Sequence, residues 1–165
     1  MDWTCPDPST TYGEIILQQK KALPGLLKPF QEGILRIFSA LPDAKEFYLT
    51  GGTALAAFYL GHRLSEDFDL FTGVGELVRP LGIRFGEALE RQRFQVRITR
   101  NFESFYESTV SKDQDSLKIQ LAQDSPYRLA TALMSDYGVA VDDLEDVAAN
   151  KLLALSGRWT PRDFF

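Results

Sequence analysis

Apolar positions recur every three to four residues from Ile15 to Leu41, through Ile15, Ile16, Leu23, Leu26, Leu27, Ile34, Ile37, Phe38 and Leu41. That spacing predicts one apolar helix face. Pro24 and Pro29 interrupt it, so the stretch from Tyr12 reads as two helices. Leu41-Pro42-Asp43 is a turn, and Glu46–Thr50 reads as a short buried strand. Gly51-Gly52 then opens a compact helix, Thr53 to Leu60, ended by Gly61, and Phe68–Phe71 reads as a second strand. Leu77, Val78, Leu81, Phe85, Ala88 and Leu89 share a helical face, which predicts a helix over 75–91, started or kinked by Pro80. Alternation predicts half-buried strands around Phe94–Ile98, Phe105–Val110 and Leu117–Leu121, with a turn at 111–115. The last helix begins near Asp142, with Glu145 three residues on as a capping box and a stripe of Leu144, Val147, Ala148, Leu152 and Leu155. Helices, a strand–helix–strand unit, a meander and a helix make an α+β fold: a small mixed β-sheet flanked by helices. Residues 1–11, rich in Pro, Ser and Thr, read as an arm; residues 1–45 form an N-terminal arm and helices packing on a core over 46–165.

Composition narrows the function. A chain of 165 residues, 44% hydrophobic and 25% charged, suits one ordered domain and excludes wholesale disorder. Eighteen basic against 23 acidic side chains leave a net charge of −5, which argues against a general nucleic-acid coat. A local basic patch, or a nucleotide held through a cation, stays open. The longest apolar run, Ala54–Leu60, is far short of the roughly 20 residues of a membrane helix. No secretory pattern opens the chain, so a cytoplasmic protein with no membrane partner is expected. Single Cys5 and His62 exclude an intramolecular disulfide and argue against a Cys/His zinc site.

The chemistry gathers in Tyr48–Leu55 and Gly61–Phe71. A Gly-Gly turn from strand to helix lets backbone approach a ligand closely, and free N–H groups there favour phosphate oxygens. Asp67 and Asp69 stand two apart on a strand, so both carboxylates share one face while Phe68 and Leu70 point to the core. Paired carboxylate oxygens suit Mg²⁺, which usually also binds substrate phosphates. Each element alone is commonly structural; their combination across a short helix points to a nucleoside triphosphate and its metal.

These stretches resemble the AbiEii/AbiGii-type nucleotidyltransferases of the DNA polymerase β-like superfamily. The resemblance rests on Gly-Gly-Thr-Ala-Leu at 51–55, Gly-His-Arg at 61–63, Ser-Glu-Asp-Phe-Asp-Leu-Phe at 65–71 and Leu-Glu-Asp-Val-Ala-Ala-Asn-Lys-Leu at 144–152, with Arg158 and Arg162-Asp163-Phe164 after them. It implies the polymerase β-like fold and transfer of a nucleoside monophosphate from an NTP to an acceptor, with tRNA among the candidates. It also implies Mg²⁺ (or Mn²⁺), a toxin role in a prokaryote and a cognate antitoxin. By the same resemblance Gly51, Gly52 and Thr53 form the phosphate-side turn, Asp67 and Asp69 hold metal, and Lys151 neutralises triphosphate charge. Arg63 and Ser65 flank the site, and Asp163 is the acid of the last motif. The chain stops inside that motif, which implies truncation relative to the family. The superfamily usually carries a third carboxylate on a neighbouring strand; Gln120 stands there, with Asp124 as a substitute from the strand end. Nucleotide binding is therefore expected to outlast catalysis, and a degenerate nucleotide-binding or partner-binding module is the alternative. A haloacid dehalogenase-type phosphatase is disfavoured, because polar residues precede Asp67 and Phe71 stands where Thr is needed.

Overall fold

A computed structural model describes residues 20–157. Its centre is a seven-stranded mixed sheet in the order β3-β4-β5-β2-β1-β7-β6. The strands are β1 (Tyr48–Thr50), β2 (Asp67–Thr72), β3 (Gln95–Asn101), β4 (Phe105–Lys112), β5 (Asp115–Gln123), β6 (Leu133–Met134) and β7 (Ala140–Val141). The helices are α1 (Pro29–Ser39), α2 (Gly51–Leu55), α3 (Val78–Arg91) and α4 (Leu144–Gly157). One π-helical turn, Ala56–Leu60, prolongs α2 and closes on Gly61 at φ 64°.

Alternation sorts the sheet into two faces. Leu49, Phe68, Leu70, Tyr106, Val110, Ile119 and Leu121 are buried in one cluster with Ile34, Leu35 and Phe38 of α1 and Leu81, Phe85 and Leu89 of α3. The Phe38 and Phe85 rings meet edge to face at 5.0 Å. Helix α3 comes close to β4 because Gly82 has no side chain; a Cβ there would collide with the Tyr106 ring. The opposite face carries half-buried Asp67, Asp69, Lys118, Gln120 and Glu107. β1 and β2 pair antiparallel, with Thr50 opposite Asp69, and β2 pairs parallel with β5, with Asp67 opposite Lys118 and Asp69 opposite Gln120.

Several expectations need correction. The strand expected from Glu46 begins at Tyr48, because Ala44–Glu46 coils into a 3₁₀ turn. Pro29 opens α1, where a missing N–H costs nothing. The last helix is capped by Asp143, whose Oδ1 accepts the Glu145 N–H at 2.9 Å, not by Asp142, which is buried. Its expected apolar stripe is largely exposed: Val147 is buried, whereas Leu144, Ala148 and Leu152 face outward. Periodicity marks a face as apolar, but a neighbouring element has to cover it. The two-residue strands β6 and β7 are too short to leave a periodic signal.

Candidate active site

The site begins where β1 turns into α2. Gly51 adopts φ 69°, a left-handed conformation that costs a side-chain-bearing residue about 1–2 kcal/mol. Space imposes the same choice, since a Cβ on Gly51 would strike the Asp69 carboxylate. The next residue, Gly52, donates its backbone N–H to that carboxylate. Thr53 Oγ1 donates to the Asp67 carbonyl, tying the helix start to β2.

Asp67 and Asp69 project from β2 into a cleft of about 450 Å³, also lined by Gly52, Arg63, Ser65 and Lys151. Burial, then the Asp67 charge, raise the Asp69 pKa to about 6; Lys118 and the Gly52 N–H oppose the rise. Lys118 Nζ lies 3.8 Å from Asp67 Oδ1. The pair is thus a carboxylate site whose burial and mutual repulsion outweigh the nearby Lys118 charge at Asp69. A larger hollow, about 600 Å³, lies beside Gly75, Arg79, Glu103 and Gln123, toward the end of β2 remote from Asp67.

Of the expected residues, Gly52, Arg63, Ser65, Asp67, Asp69 and Lys151 line this cleft, whereas Gly51 lies against the Asp69 carboxylate and Thr53 is buried behind it on the Asp67 carbonyl. A Cβ at Gly52 would lie 3.2 Å from Arg63 Nη2 and 3.3 Å from Ser65 Oγ, so backbone, guanidinium and hydroxyl converge there. Lys151 is exposed at the cleft edge. Asp163, Arg158 and Arg162 lie outside the described residues. Asp124 does not approach the pair: it accepts the Tyr48 hydroxyl at 2.6 Å, and its N–H bonds to the Thr72 carbonyl. It follows Gln120 by four residues along β5, roughly 13 Å at strand rise.

Sequence reasoning missed three supports. Gln31 of α1 donates to the Ser65 carbonyl at 2.8 Å, anchoring the loop before β2. Asp142 accepts Thr50 Oγ1 at 2.6 Å and pairs with Arg128. Glu107 of β4 accepts Gln120 Nε2 at 2.6 Å. Only the last left a trace in sequence, as a lone acid at an outward position of an alternating strand.

Oxygen donors suited to a hard cation are present in Asp67 and Asp69, and the cleft they line has room for one. Among the described residues no group of three or more His, Cys, Asp or Glu forms a self-sufficient cage. Two carboxylates match a Mg²⁺ that completes its shell with water and substrate phosphate.

Comparison with known proteins agrees with this architecture. An uncharacterised Aquifex aeolicus protein is 30% identical over 143 residues, covering 84% of this chain and 64% of its own length. The crystal structure of JHP933 from Helicobacter pylori superposes with a TM-score of 0.57 at 22% identity, covering 79% of this chain and 58% of that one. The nucleotidyltransferase toxin MenT4 from Mycobacterium tuberculosis H37Rv gives 0.57 at 18% identity, covering 76% and 50%. The chain thus spans between half and two thirds of the length of these relatives. The model of the nucleotidyl transferase AbiEii toxin family, type IV toxin–antitoxin systems, matches residues 33–165. With four fifths of its length inside that match, the chain belongs to the AbiEii nucleotidyltransferase toxin family.

Proposed function

We propose that this chain binds a nucleoside triphosphate with Mg²⁺ (or Mn²⁺) and transfers its nucleoside monophosphate to a hydroxyl acceptor on RNA, tRNA among the candidates. The acceptor oxygen bonds to the α-phosphorus as the bond to pyrophosphate breaks. The observation that carries this reading is the approach of the Gly51-Gly52 backbone to the Asp69 carboxylate. There, a turn with no side chain to keep a phosphate away and anionic oxygens for a cation lie within one ligand's span. Asp67 and Asp69 would hold the ion, which when bound offsets triphosphate charge and polarises the reacting oxygens. Thr53 ties the turn to β2, while Arg63, Ser65 and Lys151 supply further donors to the phosphates; Asp163 belongs to the same set on the family motif alone. Within a toxin–antitoxin pair, a cognate antitoxin in a prokaryotic cytoplasm would restrain the activity.

The test is incubation with each labelled NTP, Mg²⁺ and total RNA. Label should reach RNA from at least one NTP and be lost in Asp67→Ala and Asp69→Ala. Lys151→Ala should weaken nucleotide binding in calorimetry. The second reading, nucleotide binding without transfer, is favoured by Gln120 standing in register with Asp69 where an acid would serve. Binding retained without any labelled product would select it.

A further inference from the structure

The sheet row that carries Asp69 continues outward. Asp69 is in register with Gln120 on β5, Gln120 with Glu107 on β4, and Glu107 with Arg100 on β3. The register shifts between Ile98 and Arg100, a β-bulge that sets two residues of β3 against Glu107. Without it, alternation would turn Arg100 to the other face; bulges commonly re-aim a side chain in this way. Thr99 Oγ1 donates to Glu107 Oε1 at 2.7 Å, and Arg100 Nε lies 3.9 Å from the same oxygen. The other oxygen, Oε2, accepts Gln120 Nε2 at 2.6 Å. Glu107 is therefore an anion held by donors on both sides, with its side chain only 15% exposed. These hydrogen bonds, Thr99 first and Gln120 second, lower its pKa.

An ionised carboxylate accepts hydrogen bonds and donates none. Against Glu107, Gln120 must offer its amide nitrogen, and its carbonyl oxygen turns away from β4. The two ends of a glutamine amide have nearly the same shape, so without such a neighbour either would serve. On the far side of β5 stands Asp69. We propose that Glu107 is a positioning residue that sets the Gln120 amide so that Oε1, not Nε2, faces the Asp67–Asp69 pair, adding a neutral oxygen donor for a divalent cation. Hard cations accept amide oxygens beside carboxylates, whereas a reversed amide would aim N–H groups at the positive charge. Gln120 is then an oxygen donor of lower charge rather than a lost acid, and the bulge of β3 is the outer end of its support. This inference rests on the cation-dependent reading above.

The experiment is calorimetric titration of the chain with Mn²⁺ alone, with a urea unfolding curve for each variant. Glu107→Gln keeps size and shape but lets the Gln120 amide sit either way round; it should weaken Mn²⁺ binding about tenfold, as loss of an outer-shell partner does. Gln120→Leu should weaken it at least as much. The double variant Glu107→Gln, Gln120→Glu reverses donor and acceptor and returns an oxygen to the Asp69 side, so it should bind at least as tightly as wild type. A merely structural Glu107 would shift the urea midpoint and leave Mn²⁺ affinity in place. Wild-type affinity in both Glu107→Gln and Gln120→Leu, or no recovery in the double variant, would overturn the proposal. Failure of the wild type to bind Mn²⁺, or binding that survives Asp67→Ala and Asp69→Ala, would instead overturn the cation reading beneath it.

Discussion

Two aspartate pairs flank Thr50, and they differ in how many donors meet them. Asp142 is fully buried, which raises its pKa, but it accepts the Thr50 hydroxyl and pairs with Arg128, and both contacts oppose that rise. Its neighbour Asp146 accepts the N–H groups of Leu129 and Ala130 at 2.9 and 3.0 Å, with Arg128 Nη2 at 3.6 Å. Burial works against the Asp146 anion, but those donors outweigh it and lower its pKa. Arg128 in turn lies over the Tyr48 ring at 3.9 Å. On the other side of Thr50, burial and the neighbouring Asp67 carboxylate outweigh the Lys118 charge and one backbone N–H, and the Asp69 pKa is pushed up to about 6. A carboxylate saturated with donors is committed to the fold. One left short of them keeps its affinity for a ligand that brings positive charge.

Breaking the saturated pair should cost most. Asp142→Ala would leave Arg128 half-compensated and the Thr50 hydroxyl unpaired. A loss of about 3–5 kcal/mol in urea unfolding is expected, with nucleotide binding per folded molecule little changed. Gly51→Ala attacks the seam between the regions. The left-handed strain and the collision with Asp69 should cost about 2–3 kcal/mol in urea unfolding, and calorimetry should show loss of triphosphate binding.

The unsaturated pair should show the opposite sign. The Asp69 pKa is raised on folding, so its ionised form opposes the fold; that penalty is full above about pH 6 and gone below about pH 4. Asp69→Asn should therefore stabilise the ligand-free protein at pH 7, by about 1–3 kcal/mol. The gain should shrink as pH falls through that window, as read from urea midpoints at stepped pH, while cation binding is lost. A destabilised Asp69→Asn at pH 7 would place Asp69 with the structural pair. The smallest effect sharpens the contrast between adjacent residues: Asp143→Ala, removing the cap of α4, should cost about 1 kcal/mol in the same assay, well below Asp142→Ala.

Much of this was legible in the chain. The Gly51-Gly52 turn and the spacing of Asp67 and Asp69 mark a strand–helix–strand unit, because glycine tolerance and a period of two are local properties of the backbone. Strands β4 and β5 and helix α3 are legible for the same reason. What the chain could not disclose depends on neighbours distant in sequence. That Asp142 is clamped and Asp143 is the cap follows from Arg128 and Thr50 arriving beside them. That Leu152 stays exposed follows from which elements reach α4. That Glu107 faces Gln120, with a bulge turning Arg100 onto the same face, follows from strand register, which no single strand contains. Sequence by itself determined which residues could lie on one face of one element. Tertiary structure decided which of those faces met, and therefore which charges were satisfied and which were left for a ligand, because burial and pairing are properties of the packed neighbourhood.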